Sequence, residues 1–324
     1  MRIDKNTTIR LGDRNIVKVK LGDVVIWQKT TGPVVGPDYF YIESLGDGNT
    51  ISVVNKGDGS TDNVTPTLEY STDKNTWNTI TFDWTSGEHT TELPVKLNTG
   101  GKMYFRNDTR LFSNSSSKYI SFSSTVSSNV GGDIRTLSNY LDVGNETTPQ
   151  SYMFYKLFKS NNYIVDASNL RLPYTTIADF CYYGMFSSCT SLTTAPTELP
   201  ATTLASYCYS NMFSNCTSLT TAPTLPAITL ASSCYAAMFY MCSKLTSAPT
   251  LPSTTLAVSC YDSMFNYCSK LNNITVYADD ISAFNCTFNW VYGVASTGTF
   301  RNLGSATYPT GTSGIPSGWT EVKN

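Results

Sequence analysis

The sequence predicts a mixed β and α+β protein: a small N-terminal β module, an antiparallel β-sandwich, and then a repeat solenoid with units of about 26 residues. Three observations carry this. Pairs of cysteines eight residues apart recur every 26 residues, with one step of 27, between Cys181 and Cys268. Short β-rich runs, separated by Gly, Asp and Asn turns, fill residues 38–145. The turn signals Gly12-Asp13 and Gly22-Asp23 divide residues 1–29 into three short strands.

In the N-terminal module the strands are expected at Thr7 to Leu11, Asn15 to Leu21 and Val24 to Gln28. Three short strands make a poor independent core. This module is therefore expected to complete itself against a partner chain. Ile16, Val17, Val19, Leu21, Val25 and Trp27 are the candidate docking residues. Residues 30–37, with Gly32-Pro33 and Gly36-Pro37, read as a semi-rigid linker.

Residues 38–145 read as a sandwich with some immunoglobulin-like character. Its strands are expected at Tyr39 to Ser44, Thr50 to Asn55, Thr67 to Ser71, Trp77 to Trp84, Thr91 to Leu97, Lys102 to Asn107 and Tyr119 to Ser123.

The repeats occupy residues 146–297. Cys181/Cys189, Cys208/Cys216, Cys234/Cys242 and Cys260/Cys268 each bracket a Met-Phe pair, and a leucine follows three residues after the second cysteine. Ala-Pro and Leu-Pro come next in the first three units. Leu204, Cys208, Met212 and Cys216 fall at i, i+4, i+8 and i+12, with Tyr209 and Phe213 as a second column. That spacing predicts a short helix with one apolar face, followed by a strand-like segment. A proline in each extended segment removes a ladder hydrogen bond, so pairing there is expected to be brief. The terminal units are degenerate, as caps are: Leu157 replaces a cysteine upstream, and Trp290-Val291 replaces Met-Phe downstream. Residues 298–324 are expected to fold back as a C-terminal cap, with Phe300, Ile315 and Trp319 covering the last repeat.

All nine cysteines lie in the repeats. A helical separation of eight residues is too long for a disulfide within one unit, and the spacing does not suit zinc. They read as small buried packing residues. The single histidine, His89, reads as an exposed loop residue. Asp179, Glu198 and Asp262 occupy different repeat positions, so no carboxylate pair for hydrolysis emerges. Asp279-Asp280 reads as a turn. No catalytic, cofactor-binding or metal residues are expected. With 14% charged residues and a net charge of −2, the chain does not suit nucleic acid. No apolar run is long enough for a membrane helix.

The pattern Cys-Tyr-x-x-Met-Phe-x-x-Cys-x-x-Leu-x-x-Ala-Pro, then Leu-Pro, resembles the BspA-like leucine-rich repeat family, although the period is longer and the first cysteine is additional. The resemblance implies a solenoid of the leucine-rich-repeat type. It also implies the settings in which such repeats occur: adhesins of bacterial surfaces and proteins of phages of gut bacteria. The run Ile16 to Val25 resembles the short N-terminal module of some phage structural proteins. The polar start Met1 to Asn6 lacks the apolar region of a secretory signal, which favours a virion protein assembled in the host cytoplasm.

The expected function is therefore a non-enzymatic virion protein, a head or tail fibre or a decoration protein. It would dock on other virion proteins or sister chains through residues 1–29, as a homo-oligomer, and present its repeats to host-surface glycan or protein. Tyr207, Tyr240 and Tyr267 lie off the apolar columns and are the candidate binding residues. The alternatives are a bacterial cell-surface adhesin and a purely structural spacer.

Overall fold

The computed structural model describes residues 18–21, 24–28, 38–60, 67–82, 84–107, 113–140 and 148–323. The chain forms two compact units, Met1–Gly36 and Pro37–Asn324. In the first, β1 (Lys18–Leu21) pairs antiparallel with β2 (Val24–Gln28). Val19 lies opposite Trp27, Lys20 opposite Val25 and Leu21 opposite Val24, with a bulge between Val19 and Lys20. The expected strand Thr7 to Leu11, and with it Ile16 and Val17, lies outside the described residues.

The second unit opens with two sheets. Its strands are β3 (Phe40–Ser44), β4 (Ile51–Gly57), β5 (Thr67–Ser71), β6 (Asn78–Thr81), β7 (Gly87–Glu92), β8 (Lys102–Arg106), β9 (Tyr119–Ser124) and β10 (Ser128–Asp133). The short α1 (Thr136–Asn139) and then β11 (Ile164–Arg171) follow. One sheet has the order β11-β10-β3-β8-β5-β6, and the other β7-β4-β9. Alternation along β3 and β8 sends Phe40, Ile42, Met103 and Phe105 inward. They meet Ile51, Val53, Ile120 and Phe122 of the second sheet in one core. The Phe105 and Phe122 rings are 4.7 Å apart.

Two details differ from expectation. Of the predicted strand Thr91 to Leu97 only Thr91 and Glu92 are in a strand, β7, which starts earlier and carries His89, exposed but in the strand rather than in a loop, opposite Asn55. Strand β10 has the sequence Ser-Asn-Val-Gly-Gly-Asp, whose glycines read as a turn. It becomes a central strand because β3 pairs with it on one side and β11 on the other.

The larger correction concerns the fold class. Neither the α+β class nor the leucine-rich-repeat solenoid is what this chain forms: its regular structure is almost all β, in small sheets. Among the described residues α1 is the only α-helix. The segments between paired cysteines are runs of turns, because every fourth residue has a left-handed backbone. In successive units these are Phe180, Gly184 and Ser188; Tyr207, Asn211 and Asn215; Ser233, Ala237 and Met241; and Ser259, Ser263 and Tyr267. A left-handed residue ends an α-helix after one turn. The hydrogen bonds show the consequence. Ser210, Met212 and Ser214 N–H groups donate three residues back, to Tyr207, Tyr209 and Asn211 (3.2, 3.2 and 3.0 Å). The alternating Tyr209, Asn211 and Phe213 N–H groups donate instead to Cys234, Ala236 and Met238 of the next unit (3.0, 2.9 and 2.9 Å). The four-residue columns are therefore real, but they are columns of a turn array stacked unit on unit.

Left-handed backbone at a residue with a Cβ costs about 1 kcal/mol, and glycine relieves it. Ala237→Gly is accordingly expected to raise stability by about 0.5–1 kcal/mol. A lower urea midpoint for this variant would contradict the backbone assignment.

The proline effect is visible in the other segment of each unit. The central units, which carry Ala-Pro and Leu-Pro, pair only through isolated parallel bridges such as Thr194↔Thr221 and Glu198↔Thr224. Regular strands form where the Ala-Pro proline is missing: at β11, which has Ala167-Ser168 and ends just before Leu172-Pro173, and at β12 (Asn273–Val276), which has lost both prolines. Strand β12 continues into a parallel sheet with β13 (Thr299–Asn302) and β14 (Thr320–Lys323). Behind it Phe300, Ile315 and Trp319 are buried, and the Trp290 and Trp319 indole N–H groups donate to the carbonyls of Gly314 and Ala295 (3.0 and 2.7 Å).

Candidate binding surface

The inside of the stack fixes what the outside can present. Two files of rings run through it. Tyr182, Tyr209, Tyr235, Tyr261 and Trp290 stack at 5.5, 5.8, 6.2 and 6.2 Å. Phe158, Phe186, Phe213, Phe239 and Phe265 stack at 5.0, 5.6, 5.7 and 5.7 Å. Offset stacking of this kind adds about 0.5–1.5 kcal/mol per pair to the burial itself.

The cysteines belong to the same interior. All nine are buried, and none is joined in a disulfide. The second cysteine of each pair donates its thiol to the carbonyl of the phenylalanine one unit earlier: Cys189 to Phe158, Cys216 to Phe186, Cys242 to Phe213 and Cys268 to Phe239, at 3.0–3.1 Å. Burial pushes these thiols up, Cys268 to about 12, so they remain protonated donors at neutral pH. A cysteine recurs there because the position needs a residue small enough for the core that also carries one weak donor.

Three outward features result. A column of threonines, Thr176, Thr203, Thr229 and Thr255, is linked unit to unit by parallel bridges, and Thr203, Thr229 and Thr255 are exposed. Adjacent members are therefore about 4.8 Å apart. A second column stacks Tyr152, Phe180 and Tyr207, with ring centroids 4.7 and 4.8 Å apart and planes within 6°. The third is an aromatic edge in the last units, where Tyr240 meets Tyr267 edge-on at 6.3 Å and Tyr267 meets Tyr292 at 5.1 Å.

Of the three predicted binding tyrosines, the structure brings Tyr240 and Tyr267 together and places Tyr207 in a different column. Tyr207 is the first left-handed residue of its unit, and Tyr267 the third of its own. The residues missed by the sequence reading are Phe284, Phe288 and Tyr292. They fall at i, i+4 and i+8 in the last turn array, all exposed, with Phe284 at 73%. The Ser259 N–H donates to the Phe284 carbonyl and that of Ser263 to the Phe288 carbonyl, which seats this row directly on the preceding unit. The period-four spacing was the available signal for this row. In the earlier units the equivalent positions hold Ser206, Ser210 and Ser214, then Ser232, Ala236 and Tyr240, then Val258, Asp262 and Asn266, so three large aromatic residues in a row occur once and no repeat pattern announces them.

No protein-family model, curated protein or solved structure matches the chain. The surface itself must carry the functional argument. A threonine column supplies hydroxyl donors and acceptors together with methyl groups, and exposed rings supply flat apolar faces. On a rigid backbone this combination suits hydrogen bonding and stacking on a polyhydroxylated ligand.

Proposed function

We propose that this chain is a non-enzymatic, virion-attached structural and adhesion protein, a fibre or decoration component. It docks through its N-terminal unit and presents the stacked repeats to host-surface glycan or protein. The observation that carries the adhesion reading is the exposed row Phe284, Phe288 and Tyr292, flanked by Tyr267 and Val258 on the preceding unit. Large aromatic side chains held exposed on a rigid scaffold mark binding surfaces. The virion reading is supported by the resemblance of Ile16 to Val25 to phage structural modules. The repeat motif, similar to that of BspA-like proteins, is consistent with surface attachment.

The deciding experiment uses the full chain on a host-glycan array and on intact host cells, beside the variant Phe284→Ala/Phe288→Ala/Tyr292→Ala. These rings are on the surface, so the variant should melt as the parent does. Binding by the parent that falls at least tenfold in the variant is the expected result. No binding by the parent would leave a structural spacer as the function.

A further inference from the structure

The outward face of the six-stranded sheet carries a groove of about 450 Å³ that shares no residue with the three outward columns of the repeats. Four neighbouring strands build it. Tyr41 comes from β3, Lys102 and Tyr104 from β8, Gly132 from β10, and Ser168, Asn169 and Arg171 from β11; Asp38 and Lys74 close its rim. Strand alternation puts the Tyr41, Lys102 and Tyr104 side chains opposite the core-facing Ile42, Met103 and Phe105. Two glycines keep the floor open. A Cβ at Gly131 would overlap the Tyr41 hydroxyl, and one at Gly132 would fall on the Tyr39 carbonyl.

The cations are held in place rather than trailing in solvent. Lys102 lies 4.1 Å from the centre of the Tyr41 ring and 3.7 Å from Glu43. Arg171 is paired with Asp38 at 2.6 Å and with Asp133 at 3.6 Å. Lys74 sits 4.4 Å over the Tyr104 ring, and no carboxylate pairs with it among the described residues. Its loop is pinned: Ser71 Oγ accepts from the Lys74 N–H (2.9 Å), and Asp73 Oδ1 from the Asn75 and Thr76 N–H groups (both 2.8 Å). Lys74 itself has a φ of 63°, a strained backbone maintained at a loop tip. Lys102 and Arg171 thus have acidic partners, and among the described residues Lys74, beside the Tyr104 ring, has none. Ser168, Asn169, the tyrosine hydroxyls and the Asp38 carboxylate add neutral and accepting hydrogen-bond groups around it.

We infer that this groove is a binding site for a monoanionic sugar unit, a saccharide bearing one carboxylate or one sulfate ester. Among the described residues of the lining, Lys74 is the cation with no acidic partner, and it matches one negative charge. Hydroxyl-rich surroundings match a sugar ring. The Asp38 carboxylate accepts from hydroxyls and disfavours a dianionic phosphate. The volume suits a small ligand rather than a polymer strand. This site is independent of the aromatic row on the last repeat.

The test titrates the full chain, by calorimetry at low salt, with tetragalacturonate, with its fully methyl-esterified counterpart, and with a sulfated galactan tetrasaccharide. The same titrations are run on Lys74→Gly, which removes the ammonium and suits the left-handed backbone. Expected is binding of the carboxylated or the sulfated tetramer, at least tenfold weaker for the ester and at least tenfold weaker in Lys74→Gly. The two acidic probes tell carboxylate from sulfate. The Phe284→Ala/Phe288→Ala/Tyr292→Ala variant should bind the acidic tetramer as the parent does, so failure of the repeat surface and failure of the groove are read separately. Binding of neither acidic tetramer, equal binding of acid and ester, or undiminished binding in Lys74→Gly would overturn the proposal.

Discussion

Replacing Phe239 by alanine is expected to lower the unfolding free energy of the chain by about 3–5 kcal/mol, among the largest single-site losses available in the repeats. Its ring is fully buried and stacked at 5.7 Å on both sides, against Phe213 and Phe265, with planes within 8°. The cavity left behind cannot close. The separation between units is set by backbone bonds, among them Phe239 N–H to the Met264 carbonyl (2.9 Å) and the Cys268 thiol to the Phe239 carbonyl (3.0 Å). Those bonds survive the truncation and hold the units apart, so the loss combines transfer and cavity terms. Because each unit touches only its neighbours, the damage should remain local in structure while lowering the whole transition. Urea unfolding of the full chain measures it. A loss below about 1 kcal/mol would mean that the ring files are not the interior of the stack.

The second large effect is expected at Gly132→Ala, about 3 kcal/mol, from two causes acting together. Gly132 has a φ of 83°, and its added Cβ would meet the Tyr39 carbonyl and, at 3.0 Å, the Phe40 Cα. Both obstacles are backbone, held by the β10 pairing with β3 and β11, and cannot swing aside as a side chain would. Gly48 is the control. It has a φ of 75° but open space where a Cβ would go, so Gly48→Ala should cost only the conformational part, about 1 kcal/mol. Comparable urea midpoints for the two variants would show that the contact at Gly132 is relieved by movement of the sheet.

The candidate binding surface was partly legible. Tyr240 and Tyr267 could be singled out because they fall off the apolar columns, and the structure does place them side by side. Tyr292, their third partner, lies in a degenerate unit that keeps only its first cysteine, Cys286, with Trp290-Val291 in place of Met-Phe and Val294 in place of the second cysteine, so no motif pointed to it. The groove was not legible. Its residues come from sequence positions as distant as Asp38 and Arg171, and only the strand order β11-β10-β3-β8 makes them neighbours. Strand β10 was missed because its glycines signal a turn locally, whereas the close approach of Tyr39 and Tyr41 requires them.

By itself the sequence determined the repeat, its period, and which side chains point inward: the cysteines, the Met-Phe pairs and the leucine after each second cysteine are buried throughout the central units. Burial patterns are local, since they need only a regular spacing and an apolar side chain. The backbone that carries those side chains was decided by tertiary structure. A four-residue spacing fits an α-helix and a turn array equally well. The choice rests on whether alternate N–H groups bond within the segment or to a carbonyl about 26 residues further on, as Tyr209 does to Cys234. That acceptor exists only once the next unit is in place. Its hydrogen bonds outweigh the cost of a left-handed residue at every fourth position, and this is why a helical period in the sequence became a stack of turns.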